Sequence, residues 1–378
     1  MFHYEGVLPH LLSPADYYSE GSYQQEMELL FRPSWQYIGL LEDVSRPGDY
    51  LARDVLGEPV VLRNMDGELH AFKNICAHRH SLVVPPGKGK GSALRCQYHG
   101  WEYRKNGSIN KMPDGESFKG IRANHLCLKK YRVDTLGSLV FVNLSEGDKS
   151  FLDSVGGIAP DLQSYYHSRR QFLYRATEHP VNWKVIAENA IESYHVPIVH
   201  PNTFKNFRDE HLHDHRLDTK FTRYKDLKPW GNSPLGLSFK LLAKMMLREP
   251  KFERFTQTHV FPNYLLYYGD LLSSFIALEP LGPERTRHVV IWSVPLDIKF
   301  PLINRPFQKV FELAFSWMGG KLVAEDGALW GSIQNGLRRS HQKGALSRRE
   351  ERVYTFQQYV VEKIRGSSEG NRKRASLI

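Results

Sequence analysis

The chain has little cysteine. Three occur in 378 residues, at positions 76, 96 and 127, too few for a disulfide framework and suited to a reducing compartment such as the cytoplasm. It also lacks any run of about 18 apolar residues, which argues against a membrane span. The N-terminus, Met1-Phe2-His3-Tyr4-Glu5, has no basic start and no long apolar core, so it does not read as a signal peptide. No internal repeat is visible. What is present is ordinary for a soluble globular protein: 41% hydrophobic and 24% charged residues, in a length that allows two domains. The net charge of +10 raises the question of an anionic partner, but neither nucleic acid nor a membrane is expected.

Two of the cysteines belong to a pattern. Cys76-Ala77-His78 is followed, after 17 intervening residues, by Cys96-Gln97-Tyr98-His99-Gly100-Trp101. Each pair is one thiol and one imidazole, close enough to sit on one loop. Such a set fits a [2Fe–2S] cluster with two sulfur ligands on one iron and two nitrogen ligands on the other. Neutral imidazole donates less charge than thiolate, so it raises the reduction potential and directs the electron to the iron it binds. Two Cys and two His also make a tetrahedral zinc set, although a finger usually places its cysteines together and then its histidines. The pattern Cys-x-His, then Cys-x-x-His-Gly-Trp, resembles the Rieske centre of the Rieske non-haem iron oxygenases. Respiratory-type Rieske proteins carry two further cysteines in these loops. Here Arg79 and Ser81 stand in the first loop and Gln97 and Tyr98 in the second. His80 is a departure, because Gly is common there in the family.

Between Cys76 and Lys111 stand seven basic residues, Arg79, Lys88, Lys90, Arg95, Arg104, Lys105 and Lys111, against one acid, Glu102. A basic surface around a cluster could receive an acidic electron donor; a solvated face with no partner is the plainer reading. Cys127, in Leu126-Cys127-Leu128, reads as a small buried hydrophobe.

The chain is expected to be α+β. Residues 1–35 read as a helical lead-in that packs on the catalytic domain, with Ser13-Pro14-Ala15-Asp16 as a helix start. Short strand-like runs split by Pro47-Gly48-Asp49, Asn64-Met65-Asp66-Gly67 and Asn106-Gly107 make 36–146 an all-β domain. Residues 147–365 form a larger mixed α/β domain, an antiparallel sheet with helices. Strands are expected at Tyr264–Tyr268, Phe275–Leu278 and Thr286–Val294. Helices are expected at Val181–Tyr194, Leu322–Leu337 and Arg349–Arg365. Residues 366–378 have the composition of a disordered basic tail.

An electron from the cluster needs a destination. On the expected helix Glu188, Glu192 and His195 share one face at i, i+4 and i+7, beside an apolar stripe of Trp183, Ala187, Ile191 and Tyr194. Pro197 ends the helix, so His200 arrives from the following loop. Two His and one carboxylate on one face of iron leave positions open for O2 and substrate. Asp326 is the candidate third ligand. Leu322, Asp326, Leu329, Trp330, Ile333 and Leu337 share a stripe, and a carboxylate on an apolar side should be paired or bound to metal. A salt bridge to a buried Arg is the alternative, and Glu325 is the other possible ligand.

The run from Asn182 to Pro201 is similar to the catalytic-domain motif of the Rieske oxygenases, and the resemblance extends over residues 25–365. It implies that Cys76, His78, Cys96 and His99 hold [2Fe–2S], and that His195, His200 and Asp326 hold mononuclear Fe(II). By the same resemblance Glu192 would bridge electron transfer from a cluster His of the neighbouring subunit, in a homotrimer where the two centres of one chain lie too far apart. The Glu at this position looks like the choline and carnitine monooxygenase branch. The implied activity is that of a terminal oxygenase component. It would use O2 and electrons drawn from NAD(P)H through a flavin reductase, with or without a ferredoxin, to oxidise a small organic substrate. Monooxygenation is favoured over cis-dihydroxylation, and an electron-transfer Rieske protein without active iron is the alternative. Phe221, Tyr224, Trp230, Tyr264, Tyr267, Tyr268 and Phe275 are candidates for the substrate pocket, although at 12% aromatic content most would be core.

Overall fold

The computed structural model describes residues 2–121, 126–201, 213–226, 234–248, 250, 256–296 and 298–375. The chain falls into two units, one of Met1–Leu30 with Val155–Ile378 and one of Phe31–Ser154. The strand-rich unit is thus wider than 36–146. Its flanks carry aromatic core: Phe151 stacks on Phe141 at 4.1 Å, and buried Trp35 lies under the Arg132 guanidinium.

The lead-in holds β1 (Val7–Pro9) and α1 (Glu20–Glu26). Ser13 starts its first turn as expected, with the Asp16 carboxylate accepting from the Ser13 backbone N–H. In the Phe31–Ser154 unit the strands are β2 (Gln36–Leu40), β3 (Asp49–Val55), β4 (Glu58–Met65), β5 (Glu68–Lys73), β6 (Gly87–Lys90), β7 (Leu94–Arg95), β8 (Glu102–Tyr103), β9 (Ile109–Lys111), β10 (Lys130–Leu136) and β11 (Leu139–Asn143). A seven-stranded antiparallel sheet runs β2-β11-β10-β5-β4-β3-β6, and β7-β8-β9 form a small second sheet. The larger sheet buries Val60, Val61, Leu62, Ala71 and Phe72 completely. Cys127 is exposed, not buried as its neighbours suggested. Leu128 takes the inward position there, its N–H bonded to the Gly107 carbonyl, and alternation turns the thiol outward.

The other unit continues through α2 (Phe151–Val155), which straddles the boundary, α3 (Ala159–Tyr166), β12 (Arg169–His179), α4 (Trp183–Ile191), α5 (Val196–Val199), β13 (His213–Leu217), β14 (Phe221–Asp226) and α6 (Pro234–Met246). Then come β15 (Thr256–Val260), β16 (Tyr264–Tyr268), β17 (Ser273–Gly282), β18 (Arg285–Pro295), α7 (Pro301–Arg339), β19 (Ala345–Ser347) and α8 (Glu351–Ala375). Its seven strands order as β12-β18-β17-β16-β15-β14-β13, and β1 pairs with β19. The segment from Gly366, expected as a tail, is helical through Ala375, and residues 376–378 lie outside the described ones. Of the pocket candidates, Phe221, Tyr224, Tyr264, Tyr268 and Phe275 are buried on strands of this sheet, and Trp230 lies outside the described residues.

Helix α4 is fixed from below by charge. Lys184 and Glu26 are both fully buried and ion-paired, and Glu26 also accepts from the Trp183 indole at 2.8 Å. The Asn182 side chain caps the helix by accepting from the Lys184 N–H. The Asn182 N–H in turn reaches the side chain of Gln334 on α7 at 2.9 Å. Glu188, which the helical periodicity grouped with Glu192 and His195, instead bonds Tyr17 and Gln357. Replacing Glu26 by Ala strands a buried ammonium beside α4. The expected cost is about 3–5 kcal/mol, read as a lowered denaturation midpoint, whereas an unchanged midpoint would show that α4 does not depend on the pair.

Candidate metal centres

The two cluster loops share one design. The first follows β5 and the second joins β7 to β8. In the first, the Cys76 N–H donates to Ser81 O at 2.8 Å and the His80 N–H returns to Cys76 O at 3.1 Å. In the second, the Cys96 N–H donates to Trp101 O at 2.8 Å and the Gly100 N–H returns to Cys96 O at 3.0 Å. Each turn closes in the left-handed region, at His80 (φ 58°) and Gly100 (φ 73°). This accounts for the glycine common at the first position. His80 occupies it at a steric cost that Gly would not have, and it is an exposed neighbour of the four donors.

Both sulfurs are buried, while His99 is exposed. His78 stacks flat on Trp101, 4.7 Å away and tilted by 8°, and meets His99 edge-on at 4.6 Å. The Nδ1 of His78 is buried without a hydrogen-bond partner. Burial pushes the Cys76 thiol up in pKa, while a hydrogen bond from Tyr103 works the other way. Buried thiols beside two imidazoles, one with an orphaned ring nitrogen, suit a Cys2His2 [2Fe–2S] cluster. Tyr103 was missed in the sequence. Its hydroxyl accepts from the Ala77 N–H and lies 3.1 Å from Cys76 Sγ. Its placement two residues after Trp101, on a strand leaving the loop, was the available signal. The basic run around the cluster is largely paired: Lys88 with Asp43, Lys90 with Asp49, Arg95 with Glu102, and Lys105 with Asp66 and Glu68.

The second centre arises where α4 stops. The helix ends at Ile191, with Glu192 extended as its C-cap. His195 therefore does not lie on α4 with Glu188; it is the N-cap of α5, and His200 is that turn's C-cap. Tyr194, expected in the apolar stripe, is 58% exposed. Pro197 does not end α4 as expected: it stands in the first turn of α5, a position where its missing N–H costs nothing.

Three donors converge. The Nε2 of His200 lies 3.1 Å, and that of His195 3.5 Å, from Asp326 Oδ1. The three ligand atoms lie within 4.8 Å of one another. Asp326 comes from α7, whose inward face carries Gly319, Trp330 and Gln334. Leu329 and Ile333 are 36% and 42% exposed, so the buried stripe differs from the one expected, because Gln334 turns inward to bond Asn182 and Glu284. Asp326 Oδ1 is buried and faces those two ring nitrogens. A buried anionic oxygen flanked by two imidazole nitrogens is the donor set of a facial 2-His-1-carboxylate iron site.

Carboxylates fix both rings from behind. Glu192 bonds His195 Nδ1, and Glu325 bonds His200 Nδ1 at 2.7 Å. A carboxylate accepting from Nδ1–H leaves each Nε2 lone pair for a metal. Glu325, the other possible ligand, is thus engaged with the outer nitrogen of a candidate ligand. Burial opposes charge on His195, but its bonds to Asp326 and Glu192 raise its pKa to about 9; metal would have to displace that proton. Nearby, burial lowers His288 to about 4, with Asp326 pulling the other way.

Two substitutions test these shells. Glu325→Ala should weaken ferrous iron binding by about 10–100-fold with the cluster spectrum unchanged; unaltered iron affinity in a chelator competition would remove Glu325 from the site. Tyr103→Phe should lower the cluster potential by roughly 20–60 mV, the equivalent of one lost hydrogen bond, in a spectroelectrochemical titration.

Comparisons with known proteins agree with this geometry. Residues 34–132 match the Rieske [2Fe-2S] domain family, and residues 163–366 match the ring hydroxylating alpha subunit (catalytic domain) family. The chain is similar to the chloroplastic choline monooxygenase of Spinacia oleracea, 32% identical over 73% of this chain and 62% of that protein. It therefore spans less than two thirds of the spinach protein. It is also similar to the carnitine monooxygenase oxygenase subunit of Escherichia coli K12, 26% identical over 88% of this chain and 85% of that one. Its fold is shared with the quaternary ammonium Rieske monooxygenase CntA in complex with L-carnitine, at a TM-score of 0.74 and 22% identity over 95% of each chain. A Rieske [2Fe–2S] domain precedes a catalytic domain that matches over more than half of the chain, and the protein belongs to the ring-hydroxylating alpha-subunit family.

Proposed function

We propose that the protein is the terminal oxygenase of a Rieske non-haem iron system, oxidising a small organic substrate with O2. The observation that carries this is the convergence of Asp326 Oδ1 with His195 and His200, in a chain that also holds two Cys and two His on paired loops. An electron-transfer protein has no use for the second set. Electrons would come from NAD(P)H through a reductase, with or without a ferredoxin. The names of the relatives, choline and carnitine monooxygenases, favour monooxygenation, such as hydroxylation or N- or O-demethylation, over cis-dihydroxylation. Ferrous iron bound by the three donors would supply O2 activation. The chain's own groups hold it: Glu192 and Glu325 orient the rings.

We further assign Glu192 as the bridge to a cluster histidine of a neighbouring subunit in a homotrimer. Glu192 follows the last turn of α4 and already ties His195, so a contact from outside would reach the iron ligand through one carboxylate. Head-to-tail contacts of this kind close into a ring. No described helix is long and apolar enough to cross a membrane, and the cytoplasm is the proposed location.

The deciding measurement is iron and acid-labile sulfide per chain on anaerobically purified protein, with zinc read from the same sample. About three irons and two sulfides are expected. Two irons and two sulfides that added ferrous iron does not raise would leave only electron transfer, and zinc without sulfide would overturn the cluster. Glu192→Gln, which keeps an acceptor oxygen for His195, should retain both centres yet abolish turnover with the cluster reduced; product formed at the wild-type rate would refute the bridge.

A further inference from the structure

Helix α7 is amphipathic in the wrong sense over its first half. The side turned into the protein is polar. Asn304 bonds Met245 O and Lys299 O, Gln308 bonds Pro295 O, and buried Glu312 pairs with Arg170 and Lys309. The side turned outward is apolar. Ile303, Phe307, Val310, Leu313 and Trp317 are each more than half exposed, Trp317 at 73%. The C-terminal end of helix α6 meets the start of α7. Lys299 N–H donates to Met246 O, and Phe311 packs against the buried cluster of Ala243, Met246 and Leu247. The opposite face of α6 presents Leu237, Leu241 and Met245 to solvent at i, i+4 and i+8. Each of the two helices thus carries an apolar outer face of a kind that soluble monomers rarely leave open.

Charge says what covers it. Along 234–248 and 298–320 the described residues carry six basic side chains, Lys240, Lys244, Arg248, Lys299, Arg305 and Lys309. The one acid in these stretches is Glu312, which is buried and paired. On α6, Lys240 and Lys244 stand at i and i+4, one position before Leu241 and Met245, and Arg248 follows the helix end. A second copy of the same face would set like charges against each other. An anionic bilayer surface instead accepts apolar side chains below its headgroups. The basic stems lie along the face with their heads at the phosphates, and an indole such as that of Trp317 sits at the boundary.

We propose that the α6–α7 face is a monotopic docking surface for an anionic lipid bilayer. The expectation of no membrane partner came from the lack of a spanning run, and a surface-lying helix pair needs none. The inference does not depend on the iron chemistry. It would nevertheless set Asp326, on the same helix, roughly 14 Å along the axis from Trp317.

The test is flotation of the full-length holoprotein with vesicles. The wild type is expected to float with phosphatidylcholine vesicles containing about 30% phosphatidylglycerol, to bind pure phosphatidylcholine at least about tenfold less, and to weaken in high salt. Phe307→Glu with Trp317→Glu should abolish flotation, with the cluster spectrum and the mass by light scattering unchanged. Lys240→Gln with Lys244→Gln keeps the apolar face and should lose the preference for the anionic lipid. Failure of the wild type to float overturns the proposal, as does flotation equal in all variants. A drop in assembly mass for the Glu variants, without wild-type flotation, would assign the face to a second copy of the chain.

Discussion

A buried carboxylate oxygen set between two imidazoles organises the catalytic unit. Asp326 Oδ1 lies 3.1 Å from His200 Nε2 and 3.5 Å from His195 Nε2, and a carboxylate oxygen buried in this way must be paired or bound to metal. Everything around it offers a cation's coordination in place of a proton's. Two imidazole nitrogens face the oxygen, and each ring is held by a carboxylate on its far side. The arrangement keeps negative charge close to the site while leaving the inner nitrogens free. Such second contacts decide ring orientation and ligand basicity as much as the ligands do.

Holding those donors in register requires elements far apart in the chain. The ligand turn follows α4, and α4 is locked to the lead-in by the Lys184–Glu26 pair and to α7 by the Asn182–Gln334 bond. Asp326 stands two turns before Gln334 on that same helix. The bonds that fix α4 therefore also set the distance between the histidines and the acid. Buried ion pairs add little net stability compared with apolar packing, but they tolerate few alternative geometries. The Phe31–Ser154 unit solves the same problem with backbone. Each cysteine carbonyl is closed by a hydrogen bond from a residue four positions on, in a left-handed turn, so both thiols are fixed before any metal enters.

The second unit has a different balance on its outside. Where polar side chains of α7 turn inward to bond carbonyls and Arg170, the apolar ones are left outward beside a basic row. The same helix carries an iron-site acid in its second half. A single rigid element thus links the apolar face and the metal centre, whatever the domain arrangement.

Much of this chemistry could be read from the residues alone. Cys76, His78, Cys96 and His99 declare themselves because thiolate and imidazole at short spacing have few uses other than metal. His195, His200 and Asp326, which converge, could be picked out because two histidines stand five residues apart and an acid sits near apolar residues, although the helix break expected at Pro197 falls earlier, at Ile191. Local sequence also specified the strands at Tyr264–Tyr268 and within Phe275–Leu278, where aromatic and apolar residues run without a break. The rest depended on partners distant in the chain. Helical periodicity placed Glu188, Glu192 and His195 on one face, but α4 ends at Ile191, and Tyr17 and Gln357 claim Glu188. Periodicity likewise put Leu329 and Ile333 inside, whereas the bonds of Gln334 to Asn182 and Glu284 turned α7 the other way. Glu325 as the holder of His200 had no separate mark in the sequence, and Tyr103 beside the Cys76 sulfur was marked only by its place two residues after Trp101. Residue type and spacing determine which donors exist; which atom each donor faces is decided by hydrogen bonds and ion pairs between segments that only the tertiary fold brings together.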